Sequence, residues 1–386
     1  MDLQDYVNHF DSMTCIISVE KKSDGSYGKI RIEVGNPAYV ASFDKANAPI
    51  AMKDENGFVP GCEYTTYLPK DLNFEHFVVA SAVNKKPMHA YIHPDRFPIW
   101  FNIFSLPLNI DDPDKYYCTY TQELSTEANT EQMTNLSAKA TSQVLQTCIK
   151  LRSSTNFLKT MDEIIHDIRT ACEASYCCVM LTDFKERTCS LLSEDIAVGV
   201  PQHSLKNFLD DSFIEYAESW LKTIDGSNCL VIQDENDMKE VKLRNPNWYR
   251  SLKSAEVESL VLFPLQYNGE TVGFIWATNF DTKDTDRIKE TLELTTFFIA
   301  SEIANYQLLQ RLEMLSSTDL LTGVLNRNAM NNRVLRMVTG RERKPESIGI
   351  VFADLNGLKP VNDKEGHNAG DCLLKEAALI LKLSFE

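Results

Sequence analysis

The sequence predicts an α+β chain of several domains, and three observations carry that expectation. Its 386 residues suffice for two or three domains at about 150 residues each. Two stretches, about 13–124 and 152–305, hold runs of β-branched and aromatic residues bounded by turn signals, as strands do. Around them lie segments whose apolar residues recur at steps of three and four, as on one face of a helix.

Composition narrows the function classes. Hydrophobic residues at 43% with 24% charged are ordinary for a globular chain and exclude disorder over most of the length. Lys and Arg number 39 against 55 Asp and Glu, a net charge of −16. That balance argues against a whole-chain binder of nucleic acid or of an anionic membrane, since polyphosphates require clustered positive charge. No uncharged apolar stretch reaches the roughly 18 residues of a spanning helix; the patch from Phe97 to Ile110 is broken by Pro98 and Pro107. The opening MDLQDYVNHFDSM is acidic and lacks the apolar core of a secretory signal. The ten cysteines are scattered, and the adjacent pair Cys177-Cys178 would point to opposite faces of a strand and not bridge. A cytoplasmic chain with reduced thiols is expected.

In the first domain, residues 1–125, MTCIISVE (13–20) and KIRIEV (29–34) read as strands joined by a turn-rich link. NPAYVASFD (36–44) opens a short helix, with Asn36 as N-cap and Pro37 in the first turn. NFEHFVVASAVN (73–84) reads as a helix, and HAYIH (89–93), PIWFNIFSLPL (98–108) and KYYCTYTQEL (115–124) as three further strands. In pattern and order this segment resembles a PAS domain. The linker 126–151 has neither Pro nor Gly, and Met133, Leu136, Ala140, Val144, Cys148 and Leu151 form a narrow helical stripe.

The second domain, 152–305, starts with the amphipathic FLKTMDEIIHDIRTACE, then a strand YCCVMLTDF (176–184), a helix FIEYAESWLKTI (213–224) and a strand CLVIQ (229–233). SLVLFPLQY and ETVGFIWATNF flank Asn268-Gly269, which supplies the type I′ turn of a hairpin. Helix, strand, variable middle, hairpin and closing helix resemble a GAF domain. One helix then runs from 284 to 316, its part 306–316 leading out of that domain. Ile288, Leu292, Ile299, Ile303, Tyr306, Leu309 and Leu312 mark an apolar seam. The first half closes the second domain, and the second half is expected to pair with a second copy of the chain in a parallel coiled coil, making a homodimer.

The strongest chemical signal lies in 317–386. IGIVFADL reads as a strand ending on Asp354, and a carboxylate at a strand tip is a common seat for Mg²⁺. Lys359 suits charge developing on phosphate. Asn362 can give and take hydrogen bonds, and a carboxylate such as Asp371 can accept two, as from the N1–H and exocyclic amine of a guanine. D-x-LTG-x-x-NR from Asp319 to Arg327, then D-L-N-G-L-K-x-x-ND-x-x-GH-x-x-GD from Asp354 to Asp371, resemble the front half of a GGDEF diguanylate cyclase domain, a ferredoxin-like nucleotidyl cyclase fold. That resemblance implies Asp354 and the Leu355 carbonyl as ligands of Mg²⁺ (or Mn²⁺), Lys359 as the phosphate-stabilising catalytic lysine, and Asn362, His367 and Asp371 as contacts to substrate GTP. Asn356 replaces an acidic residue many members carry. The last residues, KLSFE, come before any GG(D/E)EF loop or RxxD motif, so the chain as written is expected to be a partial domain unable to make cyclic di-GMP.

The resemblance therefore implies a sensory diguanylate cyclase, condensing two GTP into cyclic di-GMP in its complete form, with an unknown small-molecule ligand in the PAS-like or GAF-like domain. Residues 316–386 hold 10 Lys and Arg against 9 acids, and residues 1–315 carry −17, so a near-neutral module for a polyanionic substrate follows an acidic front. Two other readings stay open: a non-catalytic dimeric sensor or scaffold with a vestigial cyclase module, and a chain cut short within its domain.

Other features have plainer explanations beside the sharp ones. His89 and His93 share a strand face but have no acidic or cysteine neighbour in sequence, which suits satisfied histidines better than metal or haem ligands. Cys172, Cys177, Cys178 and Cys189 lack metal-ligand spacing and suit a core better than an iron or chromophore site. Tyr91, Phe97, Trp100, Phe101 and Phe104 suit the packing of a small sheet better than a ligand pocket. The RERK run (341–344) reads as a solvated loop, and Asp319 equally suits a helix cap or tight turn.

Overall fold

The computed structural model describes residues 2–23, 26–43, 57–93, 99–127, 138–154, 156–200, 204–210, 212–224, 227–338 and 349–385. The chain divides into two compact units, 1–301 and 302–386, and the antiparallel sheets with flanking helices make it an α+β chain of several domains.

The first unit begins with α1 (Leu3–Val7), β1 (Met13–Lys21), β2 (Tyr27–Gly35), α2 (Pro37–Ala41) and β3 (Cys62–Glu63). It continues with α3 (Leu72–Ala82), β4 (Met88–Ile92), β5 (Trp100–Ser105), β6 (Pro107–Leu108) and β7 (Lys115–Ser125). The sheet order is β3-β2-β1-β7-β5-β4 with β6 on β7. The central strand β1 is buried on both faces. Cys15, Ile17 and Val19 join Tyr39, Val78 and Phe101 in the main core, while Ile16 meets Val7 and Tyr117 beneath α1. Asn36 caps α2 as expected, its Oδ1 accepting from the Tyr39 amide at 2.8 Å. PIWFNIFSLPL is two strands and not one. The ladder breaks at Leu106, which is exposed, and the next residue, Pro107, has no amide to give the ladder.

Helix α4 (Ala138–Ser153) covers the linker from residue 138 onward; Met133 and Leu136 lie outside the described residues. It is tied to α5 (Phe157–Cys172) by Lys150 and Asp167 at 2.5 Å. Then come β8 (Tyr176–Asp183), β9 (Thr188–Ile196), α6 (Phe213–Ile224), β10 (Leu230–Ile232), α7 (Glu235–Arg244) and α8 (Pro246–Ser254). The hairpin β11 (Leu260–Tyr267) and β12 (Glu270–Thr278) and the helix α9 (Thr285–Ser317) complete the series. The second sheet has the order β10-β11-β12-β8-β9. Asn268 and Gly269 both have positive φ, 50° and 78°, as a type I′ turn requires. Cys177 and Cys178 are fully buried; Cys178 belongs to the core that Trp220, Trp248 and Phe274 dominate, and burial pushes both thiols up.

Strand β9 and helices α7 and α8 are absent from the sequence reading. Strand β9 is an edge strand with few fully buried residues, so it lacks a clean alternation. The two helices did carry a signal: Asp234 and Asn245 cap them, and Pro246 follows the second cap.

The two sheets of the first unit meet through polar contacts from α3. Asn73 donates to Ser227 Oγ at 2.9 Å and to the Cys229 carbonyl at 2.8 Å. Lys70 pairs with Glu240 at 3.0 Å, His76 meets the buried Asp237, and Leu72 enters the second core. In α9, Ile288, Leu292, Ile299 and Ile303 are fully buried, whereas Leu308, Leu309, Leu312 and Leu315 are exposed. Arg287 of α9 donates to the Ala171 carbonyl at the end of α5, at 2.8 Å. Among the described residues no helix is long and apolar enough to cross a membrane.

The second unit, described by itself, holds the end of α9, then α10 (Arg327–Val338), α11 (Leu358–Glu365) and α12 (His367–Phe385). The strand expected at IGIVFADL is not formed. Residues 349–355 lie outside any helix or strand, and Ile350, Val351 and Phe352 are 77%, 80% and 95% exposed. A strand needs a paired neighbour for its amides and carbonyls, and no strand occurs among the described residues of 302–386; residues 318 and 325 form only an isolated bridge.

Candidate functional site

The segment D-x-LTG-x-x-NR forms a closed turn between α9 and α10. Asp319 Oδ1 accepts from the Thr322 amide at 2.9 Å and its hydroxyl at 2.8 Å, and these two bonds hold the Asp319 carboxyl below the usual carboxylate range. Its backbone amide donates to the Val324 carbonyl, and Gly323 donates back to the Asp319 carbonyl, both at 2.8 Å. Asn326 closes the turn. Its Nδ2 donates to the Ser316 carbonyl at 3.0 Å and the Thr318 carbonyl at 3.1 Å, while Oδ1 caps α10 at the Ala329 amide, 3.1 Å away. Asp319 is thus a turn residue, the plainer of its two readings.

Asp354 stands exposed at the end of the irregular segment, and Leu355 is half-buried. Gly357, at φ 86°, opens α11 without a side-chain cap. Lys359 lies exposed in the first turn of that helix, where Pro360 is tolerated because first-turn amides have no helical partner. Asn362 follows one turn on. Gly366, also at φ 86°, turns the chain into α12, which begins at the exposed His367 and carries the half-buried Asp371 one turn later.

Helices α11 and α12 bring Asn362 against Gly370. A Cβ at position 370 would lie 1.9 Å from Asn362 Oδ1, so any larger residue beside Asp371 would have to displace the Asn362 carboxamide. Asn362 Oδ1 is shielded from solvent and has no hydrogen-bond partner among the described residues. A buried acceptor without a donor is costly, and a ligand N–H or O–H would satisfy it. Asp354 and the Leu355 carbonyl are hard oxygen donors of the type Mg²⁺ takes, usually with waters and substrate phosphates completing its shell. No cluster of three or more His, Cys, Asp or Glu side chains suited to a metal occurs among the described residues.

The remaining candidates are occupied structurally. His89 hydrogen-bonds Asn102 Oδ1 at 2.7 Å and stacks on Phe104 at 4.5 Å; His93 lies 5.0 Å from Trp100. Tyr91 stacks on Trp100 at 5.0 Å, and Trp100 on Phe297 of α9 at 6.1 Å. Phe101 faces inward to the main core, and Phe97 and the RERK run lie outside the described residues.

Comparison with known proteins adds a family match. Residues 316–386 match the family described as diguanylate cyclase, GGDEF domain. An uncharacterised protein of Streptomyces griseus is 39% identical over 85 residues, 22% of this chain and 35% of that protein. Diguanylate cyclase DgcS of Shewanella oneidensis is 36% identical over 75 residues, 19% of this chain and 25% of that protein. The chain thus spans about a third or less of these relatives. The chromophore-binding domain of a Stigmatella aurantiaca bacteriophytochrome aligns over 78% of this chain and 99% of its own, at 10% identity and a TM-score of 0.36, a likeness too slight to argue from.

Proposed function

We propose that the chain belongs to a cyclic di-GMP signalling protein: a PAS-like domain (1–125), a helical linker (126–151), a GAF-like domain (152–305), the remainder of α9 as signalling helix (306–316) and a GGDEF module from 317 onward. The observation that carries this reading is the Asp319–Arg327 and Asp354–Asp371 pattern, matched by the family over 316–386, at the end of a helix that runs unbroken from 285 to 317.

In the proposed reaction the 3′-hydroxyl of one GTP attacks the α-phosphate of a second and pyrophosphate leaves; the reciprocal attack closes the ring. Each protomer of a homodimer presents one GTP. Asp354 and the Leu355 carbonyl would hold Mg²⁺, which neutralises phosphate charge and orients the reacting oxygens. Lys359 stabilises negative charge as it develops on phosphate. Asp371 accepts from the guanine edge, Asn362 offers its uncommitted Oδ1, and His367 adds a contact at the start of α12. Ligand binding in the sensor part changes the register of α9 and so brings the two half-sites together.

The test is formation of cyclic di-GMP from GTP and Mg²⁺ by the full-length gene product, assayed beside Asp354→Ala. Product that disappears in the variant while the dimer persists supports the reading; product undiminished in the variant refutes the assigned metal site. A second reading, a non-catalytic dimeric sensor, is favoured by the irregular, exposed setting of Asp354. It requires GTP binding or dimerisation without turnover in the same assay.

A further inference from the structure

A cavity of about 120 Å³ lies in the first unit between the first sheet and helices α2 and α3. Its walls are mostly apolar and aromatic, among them Ile17, Phe43, Phe74, Phe101, Ile103 and Tyr120. A cavity of roughly 150 Å³ with such a lining accommodates benzene, so the space suits one aromatic ring. The other end is polar and is built from elsewhere in the chain: Ser227 and Asn228, which precede β10, and Lys289 of α9 meet Asp71 and Asn73 there.

Most of that polar end is committed. Asp71 Oδ1 caps α3 at the Asn73 and Phe74 amides, 2.9 and 3.3 Å. Asn73 Nδ2 is spent on Ser227 and Cys229, and Asn228 Nδ2 on Glu293 at 2.5 Å. Lys289 differs, since neither a hydrogen bond nor an ion pair joins its ammonium to any described residue. Burial pulls its pKa down, but Cys229, Glu293 and Asp71 outweigh burial and leave it above the ordinary lysine value. Those acidic neighbours favour the charged form, yet none of them hydrogen-bonds it, so its three N–H donors stay open to an acceptor placed in the cavity.

We propose that this cavity receives a small aromatic carboxylate, its single ring among Phe74, Phe101 and Tyr120 and its carboxylate accepting from Lys289. The ligand then touches both the first sheet and α9, and its occupancy orders the start of the helix that leads into the GGDEF segment. This goes beyond the proposed function by naming the chemistry of the signal. Its test reads binding alone, so it stands or falls separately from cyclase activity.

Benzoate and phenylacetate are titrated into the 386-residue protein by calorimetry, with benzyl alcohol as the neutral comparison. Saturable one-to-one binding of at least one carboxylate is expected. Lys289→Met should weaken it about tenfold or more, as loss of a charge-assisted hydrogen bond does, and Lys289→Arg should restore most of it. Ile103→Trp should abolish binding by filling the cavity; if that variant misfolds by circular dichroism, the Lys289 pair still decides. The bound carboxylate should slow hydrogen exchange in residues 285–301. No binding of either carboxylate at millimolar concentration, equal affinity in Lys289→Met, or benzyl alcohol binding as tightly as benzoate would each overturn the proposal.

Discussion

Replacing Asn326 by Ala tests whether the turn between α9 and α10 is held as its geometry says. The substitution removes three hydrogen bonds: the cap to Ala329, and the two donations to Ser316 and Thr318. Loss of an N-cap costs about 1 kcal/mol, and each of the other two bonds about 0.5–1.5 kcal/mol net. The side chain is only half-buried, so water recovers part of this, and the local loss is about 2–3 kcal/mol. At 1.4 kcal/mol per factor of ten, amides protected by the turn should exchange roughly 30- to 150-fold faster. Asp319, Gly323, Ala329 and Met330, whose amides are bonded within the turn and the first turn of α10, are the positions to follow by mass spectrometry or NMR. Asn326→Asp keeps the cap acceptor but loses both donors and sets a carboxylate against two carbonyls, so it should fall between the native protein and the alanine variant. Exchange within threefold of native in the alanine variant would refute the reasoning, because the turn would then be held by Asp319 and the backbone alone.

Further outcomes follow from the first unit. Asn36→Ala leaves the Thr14 and Tyr39 amides and the Phe10 carbonyl without their side-chain partner in a buried site, so the urea midpoint should fall by the equivalent of about 2–4 kcal/mol. Gly273→Ala places a Cβ 2.3 Å from the Met180 carbonyl oxygen, so β8 and β12 must part; a lower melting temperature is expected, corresponding to about 1–3 kcal/mol. Burial pushes the Glu240 carboxyl up, but hydrogen bonds and charge from Lys70 and Arg244 outweigh burial and hold it below its ordinary 4.5. Its folded value is thus the lower one, so its stabilisation is present above the unfolded value and is lost as pH falls through the folded one. Glu240→Gln should therefore flatten the acid limb of stability measured by urea between pH 6 and 3.5; an unchanged limb would show that the Lys70–Glu240 contact does not bear on it.

Much of the fold is legible in the sequence because its signals are local. Asn36-Pro37 announces α2, and Asn268-Gly269 announces the β11–β12 hairpin through the positive φ that these residues adopt readily. The spacing from Asp354 to Asp371 likewise marks a candidate site before any coordinates, and Asn362 does lie against Gly370, because the eight-residue α11 and the start of α12 meet across Gly366. The strand expected at IGIVFADL shows the limit of such signals. Its composition is that of a strand, yet a strand exists only with a neighbour, and none is present among the described residues around it.

By itself, then, the sequence determined the elements with local punctuation and the C-terminal pattern that the family matches over 316–386. Tertiary structure alone decided which residues distant in the chain become neighbours. Asn73 bonds Cys229 across 156 positions, and Lys289 reaches a cavity whose walls come from residues 17 to 122. The seam of α9 reads as one stripe, but packing buries Ile288 to Ile303 and leaves Leu308 to Leu315 exposed. The reason is physical: turn and capping preferences act within a few residues, whereas burial and unpaired charge depend on which surfaces meet when the whole chain closes.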